Sequence, residues 1–466
     1  MTAEPGNATY PRRVYPLSPR DLTEEQLAVV FAMTSRRPEP FDEIAEQVSE
    51  EKAADFHERW VLGYGHASVA EHAIIHMAVE NISRLACDSL EDNRLASYTE
   101  KSSRYQLLPQ GYYHVPEELE SYPALKKIYI STCESLFAVY ASLVDSTLEY
   151  LATAEPQLDN EKDGAFRLRL RRRATDSCRA LLPAATLTNV GVTMNARLME
   201  HAITKLLSSN LAEEQALGEE LKVKGREIAP TLVRYAERRD YLVAYRQAQT
   251  LKAGELAAGK RDDSGVALVQ YDEDAERKVA AGLLYQFSGR PYGQVLSQVE
   301  QMSESDLTSL FDACMDRMGD HDAPPRAFEM ADYTFEFTLD YGAYREFKRH
   351  RMQSYIPQPL TLEEGYLTPE LVVEAGLEGE YTAAMDLAKD AFAKTRERLP
   401  EVAQYLATHA HRRRLLAKMN LRECYHLFKL RTQQQAHFSI REPMLHALDL
   451  VRKVHPRLFK YIRLRD

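Results

Sequence analysis

Three short basic patterns carry the residue types that could hold an anionic ligand: Arg349-His350-Arg351, Ser102-Ser103-Arg104, and Arg179 leading into Leu181-Leu182-Pro183. Two arginines flanking a histidine set planar, multi-donor guanidiniums close together, a donor group suited to a pyrophosphate or an electron-rich ring. Read alone, the same tripeptide is also an exposed basic stretch. Ser102-Ser103-Arg104 offers hydroxyls, backbone N–H groups and a guanidinium within one turn, which suits a phosphate monoester. Without context it is a polar turn. Arg179 precedes an apolar helix end and is expected to lie partly buried, where an unpaired charge is costly and an anionic ligand relieves the cost. A salt bridge to Asp176 on the same helix is the structural alternative.

These residues are spread over a chain that repeats itself. Arg94-Leu-Ala-Ser97-Tyr98 recurs as Arg351-Met-Gln-Ser354-Tyr355, an offset of 257 (351 − 94). Met194-Asn195-Ala-Arg197 recurs as Met419-Asn420-Leu-Arg422, an offset of 225 (419 − 194). Ser35-Arg-Arg37-Pro38 is echoed by Ser288-Gly-Arg290-Pro291. Three landmarks in one order point to tandem copies. Copy one is expected over residues 1–250, a small and polar linker over 251–265, and copy two over 266–466. The alternation of Tyr333, Phe335, Phe337 and Leu339 with Thr334, Glu336, Thr338 and Asp340 predicts a strand, matched in copy one by Ala73, Ile75, Met77 and Val79. Val266–Tyr271 reads as a short strand, Ala275–Phe287 as a helix, and Ser303 with Asp306 as a capping box. Long helical patterns fill 123–153, 161–182 and 198–248. Each copy is therefore expected to be a strand-bearing core wrapped by long helices, an α+β fold.

Composition bounds the rest. At 466 residues two domains are natural, and 44% hydrophobic with 28% charged residues is ordinary for a globular protein. No run of about eighteen apolar residues predicts a membrane span, and the N-terminus lacks the pattern of a secretory signal. Five scattered cysteines with no CxxC pair argue for a reducing cytoplasm and against a zinc site. A net charge of −11 disfavours nucleic acid as the partner. The runs Arg171–Arg173 and Arg412–Arg414 read as solvated helix faces or as sites for a small anion.

The ordered set of motifs resembles the flavin-dependent thymidylate synthase family. Arg349-His350-Arg351 with Ser354 is similar to the start of its RHRxxS signature. Arg94 through Tyr105 is similar to the rest, while Glu71-His72-Ala73, Ser83-Arg84, Arg179–Pro183 and Thr193–Arg197 resemble further family segments. The two copies depart from the pattern in opposite ways. Copy one has Asp92-Asn93 where the signature has Arg-His, and a carboxylate there would repel a flavin pyrophosphate. Copy two has Pro357, Pro359 and Thr361 in place of Glu100, Ser102 and Arg104, and Gln404 in place of Arg179; it has Arg431 where copy one has Leu206.

The resemblance implies substrate contacts at Glu100, Ser102, Ser103, Arg104 and Arg179, and an activating arginine, Arg431, acting on the uracil ring. It implies cofactor contacts at Arg349, His350, Arg351, Asn420, Arg422 and His426, and at Ser68, Glu71, Asn195 and Arg197. The histidines His201 and His426 correspond under the 225 offset and are expected to orient the flavin or to sit satisfied on a helix face. The activity implied is FAD-dependent methylation of dUMP to dTMP with 5,10-methylenetetrahydrofolate and NADPH, without a nucleophilic cysteine. Because family sites form between subunits, complementary half-sites could make one composite site, with pairing across two chains slightly favoured. Two fused copies would then need only a homodimer to match the family's four-domain assembly. A different flavin-dependent pyrimidine modifier and a non-catalytic nucleotide-binding paralogue are the rival expectations.

Overall fold

The computed structural model describes residues 21–35, 37–63, 67–257 and 265–464. Two antiparallel sheets organise them. The first holds β1 (Ile74–Ser83), β2 (Ser97–Glu100) and β3 (Leu187–Asn195) in the order β1-β3-β2. The second holds β4 (Val266–Tyr271), β5 (Asp332–Asp340), β6 (Ser354–Pro357) and β7 (Arg412–Asn420) in the order β4-β5-β7-β6. Among the described residues the first sheet has no counterpart of β4. In β5 the side chains of Tyr333, Phe335, Phe337 and Leu339 are buried, because strand geometry sends alternate residues to one face and these four supply the apolar set.

The duplication persists in the strand register. Ser97 faces Thr193, and Ser354 faces Lys418, the positions 257 and 225 residues later. Ser83 faces Leu187 as Asp340 faces Arg412, yet Ile74 faces Asn195 as Asp332 faces Asn420, a step of 258 (332 − 74). The extra residue is a bulge in β1 between Val79 and Ile82, where Asn81 takes φ 59°. Asparagine tolerates that left-handed conformation, and its N–H donates to Asn189 Oδ1 at 3.0 Å.

Strands β1 and β5 end in helix caps at matching positions. Ser83 Oγ accepts from the N–H of Ala86, and Asp340 Oδ1 from that of Ala343, each at 2.9 Å. These caps start the helices Arg84–Glu91 and Tyr341–Phe347. Asn195 and Asn420 likewise cap Ala196–Leu207 and Leu421–Arg431, accepting from Leu198 and Glu423 N–H at 2.9 Å.

The other helices follow the sequence with corrections at their ends. Pro123–Ala154 is continuous, whereas the second pattern runs Asp163–Cys178 and tightens into a 3-10 turn at Arg179–Leu181. The pattern over 198–248 is three helices, Ala196–Leu207, Ala212–Ile228 and Asp240–Gly254, because the chain folds back twice where Leu211, Leu232 and Val233 are buried. The last of them runs into the stretch read as linker from 251, and residues 258–264 lie outside the described ones. Ala275–Ser288 is helical, and Ser303 caps Glu304–Met315 through the Asp306 N–H.

The copies join about a pseudo-two-fold axis. Pro183 bridges Thr408, its own counterpart under the 225 offset. Around it Ala184 N–H donates to Ala407 O at 2.7 Å and His409 N–H to Leu182 O at 2.9 Å, one bond seen twice. Leu136, Phe137 and Tyr140 of the Pro123–Ala154 helix share a core with Tyr381, Met385 and Ala388 of Glu378–Arg396. The Arg84–Glu91 and Tyr341–Phe347 helices also meet: Tyr341 Oη donates to Arg84 O at 3.1 Å, and Lys348 pairs with Asp88 and Glu91.

Candidate active site between the two copies

The Asp340 cap aims the Tyr341–Phe347 helix so that Arg345 and Glu346, on successive positions of its last turn, enter the seam between copies. Glu346 is the meeting point. Its carboxylate faces Arg431 at 3.1 Å, Arg179 at 3.8 Å and Arg104 at 3.9 Å, so one acid of copy two gathers two guanidiniums of copy one and one of its own. Asp176 holds the copy-one pair from the other side, bonding Arg104 at 2.8 Å and Arg179 at 3.1 Å. Ser103 is buried and its hydroxyl accepts from Arg179 at 3.4 Å, while Ser102 Oγ accepts from the Arg104 N–H at 3.2 Å. The salt bridge considered for Arg179 thus exists, within a cluster that also leaves Arg104 and Arg431 partly open to solvent.

Next to this trio, Glu100 at the end of β2 lies buried among Arg84 at 2.5 Å, Arg345, and Arg349 at 3.7 Å. Burial would raise its carboxyl, but Arg345, Arg84 and Arg349 outweigh that and hold it at about 2. Burial likewise opposes ionisation of Asp176, and Arg179 and Arg104 overcome it. Burial keeps His350 and His409 neutral well below the usual imidazole range, and His437 at about 4, each helped by neighbouring arginines. Burial also pushes Asp340 up to about 6. Six guanidiniums (Arg84, Arg104, Arg179, Arg345, Arg349, Arg431) therefore face Glu100, Asp176, Glu346 and Asp340 in one region, a cationic excess suited to a polyanion. A cavity of about 480 Å³ opens beside them, lined by Tyr98, Thr99 and Glu100 of copy one and Lys348, Arg349 and Arg351 of copy two. Cys87, Glu91 and Glu100 bring ligand atoms within 4.8 Å of one another, but Arg84, Arg345 and Lys348 already neutralise the carboxylates and burial lifts the thiol, so the group is disposed against a cation.

Two segments of the chain, residues 20–231 and 267–457, match the family model described as thymidylate synthase complementing protein. The chain belongs to the thymidylate synthase complementing protein family. It is 32% identical over 435 residues to a UPF0159 protein of Chlamydia muridarum, covering 89% of this chain and 82% of that one. A UPF0159 protein of Thermoplasma acidophilum is 28% identical over 451 residues, 90% of each chain. A flavin-dependent thymidylate synthase of Clostridium tetani is 30% identical over 213 residues, which is 46% of this chain and 82% of that one. A solved flavin-dependent thymidylate synthase of Helicobacter pylori aligns with 43% of this chain and 99% of its own at 16% identity and a TM-score of 0.33, too distant to carry an argument. Thus the chain is two tandem copies of a flavin-dependent thymidylate synthase-like domain.

In this family member the residues singled out from sequence fall into separate places. Glu100, Ser103, Arg104, Arg179, Arg349 and Arg431 come together within one chain, so the cross-chain pairing favoured from sequence is not needed to unite them. Arg351 turns back to donate to Ala96 O, and Arg94 reaches Ser354 Oγ at 3.1 Å, so each copy's arginine secures the other copy's strand. Asn420, Arg422 and His426 line a groove of about 400 Å³ in copy two. Glu71, Asn195 and Arg197 line its counterpart of about 560 Å³ in copy one, with His201. Arg197 pairs with Glu71, and Arg422 with Glu329 at 2.8 Å, the same ion pair in both copies. Ser68 belongs to neither groove; it lines a small cleft with Phe31, Phe56 and Trp60.

His350 is buried between Arg431 and Glu423. Asp92, read as repelling a pyrophosphate, is paired with Lys205 at 2.8 Å and accepts from Tyr355 Oη at 3.0 Å. The Arg412–Arg414 run lies on β7 rather than on a helix: Arg413 turns inward to Asp88 and over the Tyr344 ring, and Arg414 pairs with Glu336 and Glu364. Glu346, Arg345, Asp340 and Glu423 were not singled out from sequence. The available signal was spacing, since Glu346 stands four positions before His350.

Proposed function

We propose that the protein binds FAD and dUMP at the junction of its copies and methylates dUMP to dTMP, taking carbon from 5,10-methylenetetrahydrofolate and electrons from NADPH. One observation carries this reading: Arg104 and Arg179 of copy one and Arg431 of copy two converge on Glu346 inside a single chain. Arg104, Arg179 and Ser103 would grip the phosphate monoester with charge-assisted bonds. Arg431 would face the ring and stabilise negative charge that develops there. Glu346 and Asp176 fix the three guanidiniums in place around that position. The donor set also fits a flavin diphosphate, since Arg349 is 53% exposed and stands with Arg351 on the cavity that Glu100 closes. FAD would supply hydride transfer between NADPH and the one-carbon unit, while the protein supplies orientation and charge.

The pseudo-symmetric position has Thr361, Gln404 and Leu206 in place of the three arginines, and Gln404 Oε1 already accepts from Leu360 N–H at 3.1 Å. One nucleotide per chain follows. The test is dUMP-dependent NADPH oxidation with methylenetetrahydrofolate present, alongside calorimetric titration with dUMP. Turnover with one site per chain is expected. Tight dUMP binding without turnover would favour the non-catalytic paralogue, and no binding would remove the reading altogether.

A further inference from the structure

Arg431 is held more closely than its contact with Glu346 requires. Its Nη1 and Nη2 donate to Glu346 Oε2 and O at 3.1 and 3.0 Å, and its Nε donates to His350 Nε2 at 3.0 Å. A guanidinium has no acceptor, so His350 Nε2 must carry the lone pair and the imidazole proton must sit on Nδ1. That Nδ1 faces Glu423 Oε1 at 3.3 Å. Both atoms are buried and neither forms a hydrogen bond, so the two stand in polar contact short of a bond. Glu423 and Arg431 belong to the same helix, Leu421–Arg431, and His350 spans the gap between them. Three of the five guanidinium N–H groups are therefore fixed, and two remain for a ligand.

The repeat supplies an internal control. Under the offsets of 225 and 257, copy one has Leu198, Asn93 and Leu206 in place of Glu423, His350 and Arg431. Where the arginine is absent, so are the imidazole and the carboxylate. A carboxylate retained only for helix packing would have no reason to track the arginine, because Leu198 fills the same helical position without one.

We infer that Glu423 is a positioning residue that acts through His350 to fix the plane and reach of the Arg431 guanidinium. The inference rests on the proposed role of Arg431, and two independent measurements separate the two. In the full-length holoprotein, Glu423→Leu installs the copy-one residue and should lower kcat about 100-fold, the scale of a displaced catalytic group. KM for dUMP and flavin content should stay within about twofold of wild type, since Arg104, Arg179 and Arg349 keep their contacts. Glu423→Gln keeps an acceptor for Nδ1–H and should restore most of kcat. A Glu423→Leu protein with wild-type kcat overturns the relay; so does a parallel loss of kcat, flavin and dUMP binding that glutamine does not rescue.

Isotope-edited NMR of the histidine ring nitrogens, with His350 assigned through His350→Asn, needs no turnover. A neutral ring protonated on Nδ1 is expected. A ring protonated on Nε2 overturns the relay whatever the kinetics show. If the wild type carries the Nδ1 proton but never oxidises NADPH in response to dUMP, the relay stands and the proposed reaction falls.

Discussion

Arg104 and Arg431 both touch Glu346, yet they should fail differently. Arg104 would hold a phosphate equally in ground and transition states, so Arg104→Ala should weaken dUMP by the roughly 1.5–3 kcal/mol of a charged hydrogen bond, read as KM. Arg431→Ala should cut kcat instead, since its charge matters most once the ring is anionic. An Arg104→Ala enzyme with unchanged KM and kcat, beside a dead Arg431→Ala, would make copy one a scaffold. Asp340 offers a separate test through pH. Burial raises its carboxyl to about 6 in the fold, against about 3.9 in an unfolded chain. The fold then binds the proton more tightly than the unfolded state does. The associated stability is fully present below about pH 4 and lost as pH rises through 6, at most on the order of 3 kcal/mol. Asp340→Asn keeps an acceptor for the Ala343 N–H and should flatten that slope in urea titrations between pH 4 and 7. A slope equal to wild type would assign the effect to another group.

At the scale of elements, the change of repeat offset from 258 (332 − 74) to 257 (340 − 83) along β1 is bookkeeping in sequence but a physical object in the fold. The extra residue of β1 sits in the bulge, with Asn81 at φ 59° and its N–H paired to Asn189. Asn81→Ala should cost about 1–2 kcal/mol, the penalty for a β-carbon in left-handed backbone, while Asn81→Gly should be close to neutral. Equal melting temperatures for the two variants would show that the bulge relaxes. The strand at Tyr333–Leu339 was legible because its alternation is uninterrupted. The three helices within 198–248 were not separable, because the reversals at 208–211 and 229–239 contain buried Leu211, Leu232 and Val233 that continue the apolar count.

At the scale of the molecule, uniting both half-sites in one chain changes what mixing experiments should give. Arg104→Ala and Arg431→Ala chains, unfolded together and reassembled, should recover no activity, because the proposed site draws both arginines from one chain. Recovery toward a quarter or more of wild-type activity would place the working site across chains. We expect the assembly to be a homodimer whose four domains reproduce the family arrangement. Light scattering that reports a monomer at working concentration would count against it. Among the described residues no helix is long and apolar enough to cross a membrane.

The sequence by itself determined the duplication, the α+β class and the differences between the copies at Asp92-Asn93, Thr361 and Gln404, because repeat offsets and residue types are local facts. It also marked Arg179 as a charge that an anion would relieve and Ser102-Ser103-Arg104 as a turn suited to a phosphate, while Arg431 was marked only through the family resemblance. Only the tertiary structure decided that Glu346 gathers all three, that His350 serves Arg431 from a buried position, and that Glu71 with Arg197 and Glu329 with Arg422 form matching pairs in separate grooves. Those relations depend on the pseudo-two-fold axis at Pro183 and Thr408, which brings residues more than 200 positions apart into contact. No spacing along one copy encodes the position of the other; the packing of the two cores does.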